Sequence, residues 1–439
     1  MSLANRLSYN FMKDLGAPLV MGLGAKAKKK RPGTANSAFG PRLECAGRLK
    51  EIMTRHYFLA RYAKGARPVA WVTSGAPVEL LRAFDFYTLY PENHGALCGA
   101  QRLGPEYCGI AEDHGYHQDL CSYARIDLGH FLSGKTPVGK LPLPDLLFAS
   151  NNICQTVLYW YRILAHRLKI PLLLFDTPYN FEAIRENDVS YMVGQLEEMI
   201  PILEEVSGKR FHEAVFRKVI RIAKDSSLAW GQVLQTMKHE PAPMTIFDAF
   251  VHLAPIVSLR GLPVALHYYQ TLLAELEKRL DQDIGAITHE RKRLMWDNIA
   301  IWYKVRDFSK LFAERGMNFV TATYTNAWAE TSVHMDEEKP FESMARTYAT
   351  VILNNNLNHR LGLMARLIDE YKVDGLVIHS ARSCKPYSVG QYDIKRILMD
   401  RLSIPSVVIE ADITDFRAFS EEQTRTRLEA FFETLEASS

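Results

Sequence analysis

An α/β protein, with two doubly wound and mainly parallel units joined by a helical region, is predicted by three features of this 439-residue sequence. Short apolar runs repeatedly precede helical stretches, which is the βαβ pattern. Those runs are apolar on both faces, as suits parallel strands covered by helices on each side. From about Glu182 to Arg293 strand patterning gives way to helical periodicity.

Taken in order, "PVAWVT" reads as a strand before the helical "PVELLRAF", "DLLFAS" as a strand before "ICQTVLYWYRILAHRL", and "IPLLLFD" as the strand that follows. The middle of the chain carries amphipathic helices such as "YMVGQLEEMIPILEEVSG" and "PVALHYYQTLLAELEKRL". A second α/β unit opens at "RKRLMWD", continues through "GMNFVTATYT", "DGLVIHS" and "IPSVVIEAD", and closes on a helix around "EEQTRTRLEAFFETLE". The expected division is a helical arm at 1–66, a first α/β domain at 67–181 with Cys121 and Cys154, a helical domain at 182–290, and a second α/β domain at 291–439 with Cys384.

Composition excludes several classes. With 47% hydrophobic and 23% charged residues the chain is a folded protein, neither a disordered tail nor a fibre. Its 53 basic and 50 acidic residues nearly cancel, so no nucleic-acid partner is expected. The basic run "GAKAKKKRPG", from Lys26 to Arg31, has two readings, a solvated arm or a contact for a partner subunit or an anionic ligand. The first residues lack the order of a secretory signal, and no stretch reaches the roughly 18 uncharged apolar residues of a membrane span, so a cytoplasmic protein is expected. No GxxxxGK[ST] or GxGxxG follows a strand, and nucleotide hydrolysis by the chain itself is not expected.

Six cysteines are too few for a disulfide framework in a chain this long. Three of them stand where predicted strands end or helices begin: Cys121, Cys154 and Cys384. In open α/β sheets ligands bind beyond the carboxyl ends of strands, and a helix N-terminus favours the thiolate, which is the metal-binding form. Two readings stand, buried filler or ligands of one centre. As ligands, three sulfurs without a fourth suit an iron–sulfur cluster with one open iron better than structural zinc. Cys45, Cys98 and Cys108 read as core residues, although Cys98 and Cys108 are near enough in sequence to line the same site.

The set "SGAPVEL", "YPENHGA", "DLCSYARIDLG", "PDLLFASNNIC", "WDNIAIW", "TYTNAW", "NNNLNHR" and "HSARSCKPYS" resembles the 2-hydroxyacyl-CoA dehydratase / benzoyl-CoA reductase family, in family order from about Pro68 to Phe432. The resemblance implies two Rossmann-like units and a [4Fe-4S] cluster held by Cys121, Cys154 and Cys384 with one iron open. It also implies a related smaller subunit, an ATP-hydrolysing activator with a [4Fe-4S] cluster of its own, a ferredoxin-type donor, and an acyl-CoA substrate reduced to a ketyl-type radical. ATP is used only on the activator.

By motif match, Ser74 and Glu92 approach the substrate, with Glu92 as a proton carrier; the plain alternatives are a turn serine and a cap or salt-bridge carboxylate. His117, His379 and Arg382 are either hydrogen-bond donors to cluster sulfur or a CoA phosphate, or ordinary loop residues. Two reactions fit. Chain length and the second-half motifs favour dearomatising reduction of an aryl-CoA, as by the larger cluster-binding subunit of a benzoyl-CoA reductase, while Ser74 with Glu92 favours syn removal of water from an (R)-2-hydroxyacyl-CoA. A non-catalytic electron-transfer protein is the reading from a different class.

Overall fold

The computed structural model describes residues 2–26 and 38–437. The basic run, apart from Lys26, lies outside the described residues. Among the described residues eight strands form two four-stranded sheets, with every pairing between these strands parallel. The first contains β1 (Val69–Val72), β2 (Tyr87–Leu89), β3 (Leu146–Ser150) and β4 (Leu172–Phe175), in the order β2-β1-β3-β4. The second contains β5 (Lys292–Asp297), β6 (Met317–Ala322), β7 (Gly375–Ala381) and β8 (Ser406–Ala411), in the order β6-β5-β7-β8.

The two orders are the same winding, first strand in the middle, second to one side, third and fourth to the other. Each sheet therefore has a topological switch point, at β1/β3 and at β5/β7, and that is where open α/β sheets bind ligands. Mostly apolar residues, with Trp71 and Phe148 the largest, fill β1 and β3, which are buried along their whole length because helices cover both faces. The edge strand β4 alternates between half-buried and buried positions. β2 is a strand that the sequence does not lead one to expect, since three residues, Tyr87–Leu89, are too short a run to register, and the run "GMNFVTATYT" turns from strand to helix after Ala322.

Between β4 and β5 the described chain is helical, with long helices at Glu186–Ser207, Glu213–Gln235 and Pro263–Asp281. No helix among the described residues is long and apolar enough to cross a membrane. Polar bonds tie the two α/β units together. Arg125 reaches Glu112 at 2.5 Å in the first unit and Asp415 at 3.1 Å in the second.

A deeper tie joins both units to the helical region. Arg260, 1% exposed, donates to Glu79 Oε1 at 2.7 Å and to the Tyr348 hydroxyl at 2.6 Å, and that hydroxyl donates to Glu79 Oε2 at 2.6 Å. Removing one partner leaves a buried charge uncompensated. Glu79→Ala is expected to lower unfolding free energy by about 3–5 kcal/mol, read from urea denaturation. A loss under about 1 kcal/mol, the scale of an exposed pair, would show that solvent reaches Arg260.

Candidate active site

Each of the three cysteines predicted to converge is the N-cap of a helix. Cys121 precedes Ser122–Ser133, Cys154 precedes Gln155–Leu168 after β3, and Cys384 precedes the short helix Lys385–Ser388 after β7. The folding of their loops brings them to one place. Ser122, beside Cys121, donates its N–H to Ser383 Oγ, beside Cys384, at 3.1 Å. Ser383 in turn donates to the buried Asp412, which follows β8. Arg360, in "NNNLNHR", holds the Cys384 turn by donating to Tyr387 O at 3.1 Å while its other nitrogen reaches Asp297 Oδ2 at 2.6 Å.

Cys154 is positioned by Asn152, whose side-chain amide donates to Gly75 O at 2.9 Å and Tyr348 O at 3.0 Å. This draws the loop after β3 onto the loop after β1. The approach requires glycine at 75, where a Cβ would stand 2.2 Å from Asn152 Oδ1.

The thiols are electrostatically coupled. Burial and the neighbouring sulfurs Cys384 and Cys154 push Cys121 well above the usual thiol range, and burial with Cys154 takes Cys384 up to about 12. Burial raises Cys154 to about 11. Backbone N–H groups of the following helices pull the other way: Ala124 on Cys121, Val157 and Thr156 on Cys154, Tyr387 on Cys384. The expectation that helix starts would favour free thiolates therefore holds for the sign of that contribution and fails for the net result, because desolvation is larger. A bound cation would reverse the balance.

All three sulfurs line one cavity of about 350 Å³. Its floor is built from the carboxyl ends of both sheets: Ser74 after β1, Cys154 after β3, Ile299 after β5, Tyr324 after β6, Cys384 after β7 and Ile413 after β8. Glu92 joins them from the first turn of the helix Pro91–Ala100 after β2. Its Oε1 accepts the Ser74 N–H at 3.0 Å, while Oε2 is buried with no hydrogen-bond partner. It forms no ion pair among the described residues, so the salt-bridge alternative does not describe it. Burial raises its pKa to about 7 against the backbone donors that lower it.

The other expected residues stand apart from the cavity. His117 is exposed and lies 3.5 Å from the Asp119 carboxylate. Arg382 is exposed and does not line the cavity, its neighbours' side chains having turned inward instead. His379 is fully buried but faces Ile299 O, with its Nδ1 at 2.7 Å, and burial lowers its pKa to about 4. Cys98 and Cys108 pack with Tyr107 and Ile126 in a separate small core, and Cys45 is buried beside Glu275. None of the three lines the cavity.

Sequence reasoning did not single out Asp127, Asn152, Trp160 or Arg360. Asp127 is 1% exposed, accepts from Trp160 Nε1 at 2.8 Å, and has its pKa raised by burial to about 8; the bond fixes a ring that lines the cavity. The one local signal was a carboxylate inside the apolar run "ARIDLG".

Among the described residues no three His, Cys, Asp or Glu side chains are close enough to hold a single metal ion. The three cysteines nevertheless fit a larger group: an all-sulfur donor set on three separate helix N-termini, with backbone N–H groups directed at the sulfurs and apolar walls around them. These are features of an iron–sulfur site.

The chain is similar to known proteins along most of its length. The family model described as 2-hydroxyglutaryl-CoA dehydratase, D-component, matches residues 73–435. The chain is 34% identical over 392 residues to the (R)-2-hydroxyisocaproyl-CoA dehydratase alpha subunit of Clostridioides difficile, covering 88% of this chain and 95% of the relative. It is 32% identical to the (R)-phenyllactyl-CoA dehydratase alpha subunit of Clostridium sporogenes, covering 89% and 95%. It is 31% identical to a benzoyl-CoA reductase subunit of Thauera aromatica, covering 88% and 93%.

Proposed function

The chain belongs to the 2-hydroxyglutaryl-CoA dehydratase D-component family, whose likeness here extends to dehydratase alpha subunits and to a benzoyl-CoA reductase subunit, and on that premise we propose that it is the alpha-type catalytic subunit of an (R)-2-hydroxyacyl-CoA dehydratase. The preference expected from length and second-half motifs, aryl-CoA reduction first, is reversed. Dehydratase alpha subunits match at 34% and 32% identity, against 31% for the reductase subunit, and the state of Glu92 supports the same order.

The placement of Glu92 in one cavity with the three cysteines is the observation that carries the reading. Glu92 lines the cavity shared with the three cysteines, its Oε1 held by the Ser74 N–H, and burial raises its pKa to about 7, so that it can hold a proton near neutral pH. A [4Fe-4S] cluster held by Cys121, Cys154 and Cys384 would supply one low-potential electron and an open iron that polarises the thioester carbonyl. Glu92 would then give its proton to the departing hydroxyl, completing water, and the resulting carboxylate would take a proton from the adjacent carbon on the same face, the electron returning to its donor as the 2-enoyl-CoA forms. Glu92 ends as it began. Removal of water needs no net proton, so one carboxyl that gives and retakes a proton suffices, whereas ring reduction needs two protons brought to the site from outside.

In this reading the partners are a related second subunit, an ATP-hydrolysing activator that delivers the electron, and its ferredoxin-type donor. Aryl-CoA reduction is the second reading, favoured by the 31% identity to the benzoyl-CoA reductase chain. The two separate by product. Incubated anaerobically with second subunit, activator, ATP and reductant, the protein is expected to convert an (R)-2-hydroxyacyl-CoA into the 2-enoyl-CoA, detected by mass spectrometry. Formation of a dienoyl-CoA from benzoyl-CoA, with 2-hydroxyacyl-CoA left intact, would overturn it.

A further inference from the structure

Beyond the sulfurs and Glu92, the cavity walls say which acyl group fits. Helices and loops from three parts of the chain supply Met53, Leu97, Phe250, Val257, Trp328 and Val351. No lysine or histidine is among the described lining residues, and the one lining arginine is Arg260. That guanidinium is already satisfied by Glu79, by the Tyr348 hydroxyl and by the face of Trp328, 5.3 Å from the ring centroid. The other charged lining group is Glu92, which is anionic once it ionises.

A substrate side chain ending in a carboxylate would thus be buried among hydrocarbon, beside a carboxyl and without a free cation. Burying an ion unpaired is strongly unfavourable, whereas burying hydrocarbon is favourable in proportion to its area. A methyl side chain would leave most of the wall untouched. We infer that the acyl group handled here carries a bulky, uncharged hydrocarbon side chain, branched aliphatic or aromatic, and that Leu97, Val257, Trp328 and Val351 select it. The inference rests on the acyl-CoA reading of the site and holds for either of its two reactions, since it concerns binding alone.

Unreactive acyl-CoA thioesters without a 2-hydroxyl test it apart from turnover. By anaerobic calorimetric titration of the chain with its second subunit, 4-methylpentanoyl-CoA and 3-phenylpropanoyl-CoA are expected to bind at least about tenfold tighter than glutaryl-CoA and than propanoyl-CoA. Leu353→Arg and Val351→Arg each place a cation at a half-buried wall position. Each is expected to narrow the preference over glutaryl-CoA by at least about fivefold.

Glutaryl-CoA binding as tightly as the hydrocarbon thioesters in the unmodified protein would overturn the side-chain inference and leave the acyl-CoA reading standing. So would a preference that neither arginine variant alters. Failure of all four thioesters to bind would overturn both.

Discussion

Replacing any one of Cys121, Cys154 and Cys384 by alanine is expected to strip most of the iron and sulfide from anaerobically purified protein and to abolish turnover, with the helical circular-dichroism signal retained. The three sulfurs face one cavity from three helix N-termini, and the residues next to Cys121 and Cys384 are bonded to each other at 3.1 Å. Losing one ligand removes a third of the protein's hold on the group. The two thiols left behind hold it from two helix starts only, and no other cysteine among the described residues lines the cavity to replace the lost ligand. Serine replacements at Cys45, Cys98 and Cys108, buried away from the cavity, should leave the iron content unchanged. Iron retained in all three alanine variants would sink the assignment.

Glu92→Gln should keep the iron and lose the reaction. Glutamine preserves the shape and an acceptor for the Ser74 N–H, now 3.0 Å from Glu92 Oε1, and removes only the proton chemistry. A fall in kcat of about 10²- to 10⁴-fold is expected, the usual worth of a positioned acid or base. The pH profile carries the same signature. Burial lifts Glu92 from 4.5 to about 7, and the first step needs its neutral form. The kcat of the unmodified enzyme should therefore hold up to about pH 7 and then decline, by about tenfold per pH unit in the limit. An ordinary carboxyl would place that decline near pH 4.5. A Gln variant keeping more than about a tenth of the activity would remove Glu92 from the mechanism.

The sequence legible as strands was the sequence buried on both faces. "DLLFAS" and "DGLVIHS" announce β3 and β7 because a parallel strand under two helical layers is mostly apolar on both faces. The three-residue β2 carries too little pattern, although it delivers Glu92 to the cavity. Proximity in sequence misled where side-chain direction mattered. His117 is four residues before Cys121, and Arg382 two before Cys384, yet both point to solvent. Asn152 and Arg360, which position the loops of Cys154 and Cys384, have bonds spanning from 27 to nearly 200 residues and leave no local trace.

The sequence by itself determined the α/β class, the strand ends and helix starts at which cysteines occur, and the motifs that mark the family, since burial and helix starts act over a few neighbouring residues. Only the tertiary structure decided that sulfurs from both sheets share a cavity with Glu92, and which way desolvation tips each group. Those outcomes depend on how two separately wound sheets turn their carboxyl ends toward each other and exclude water between them.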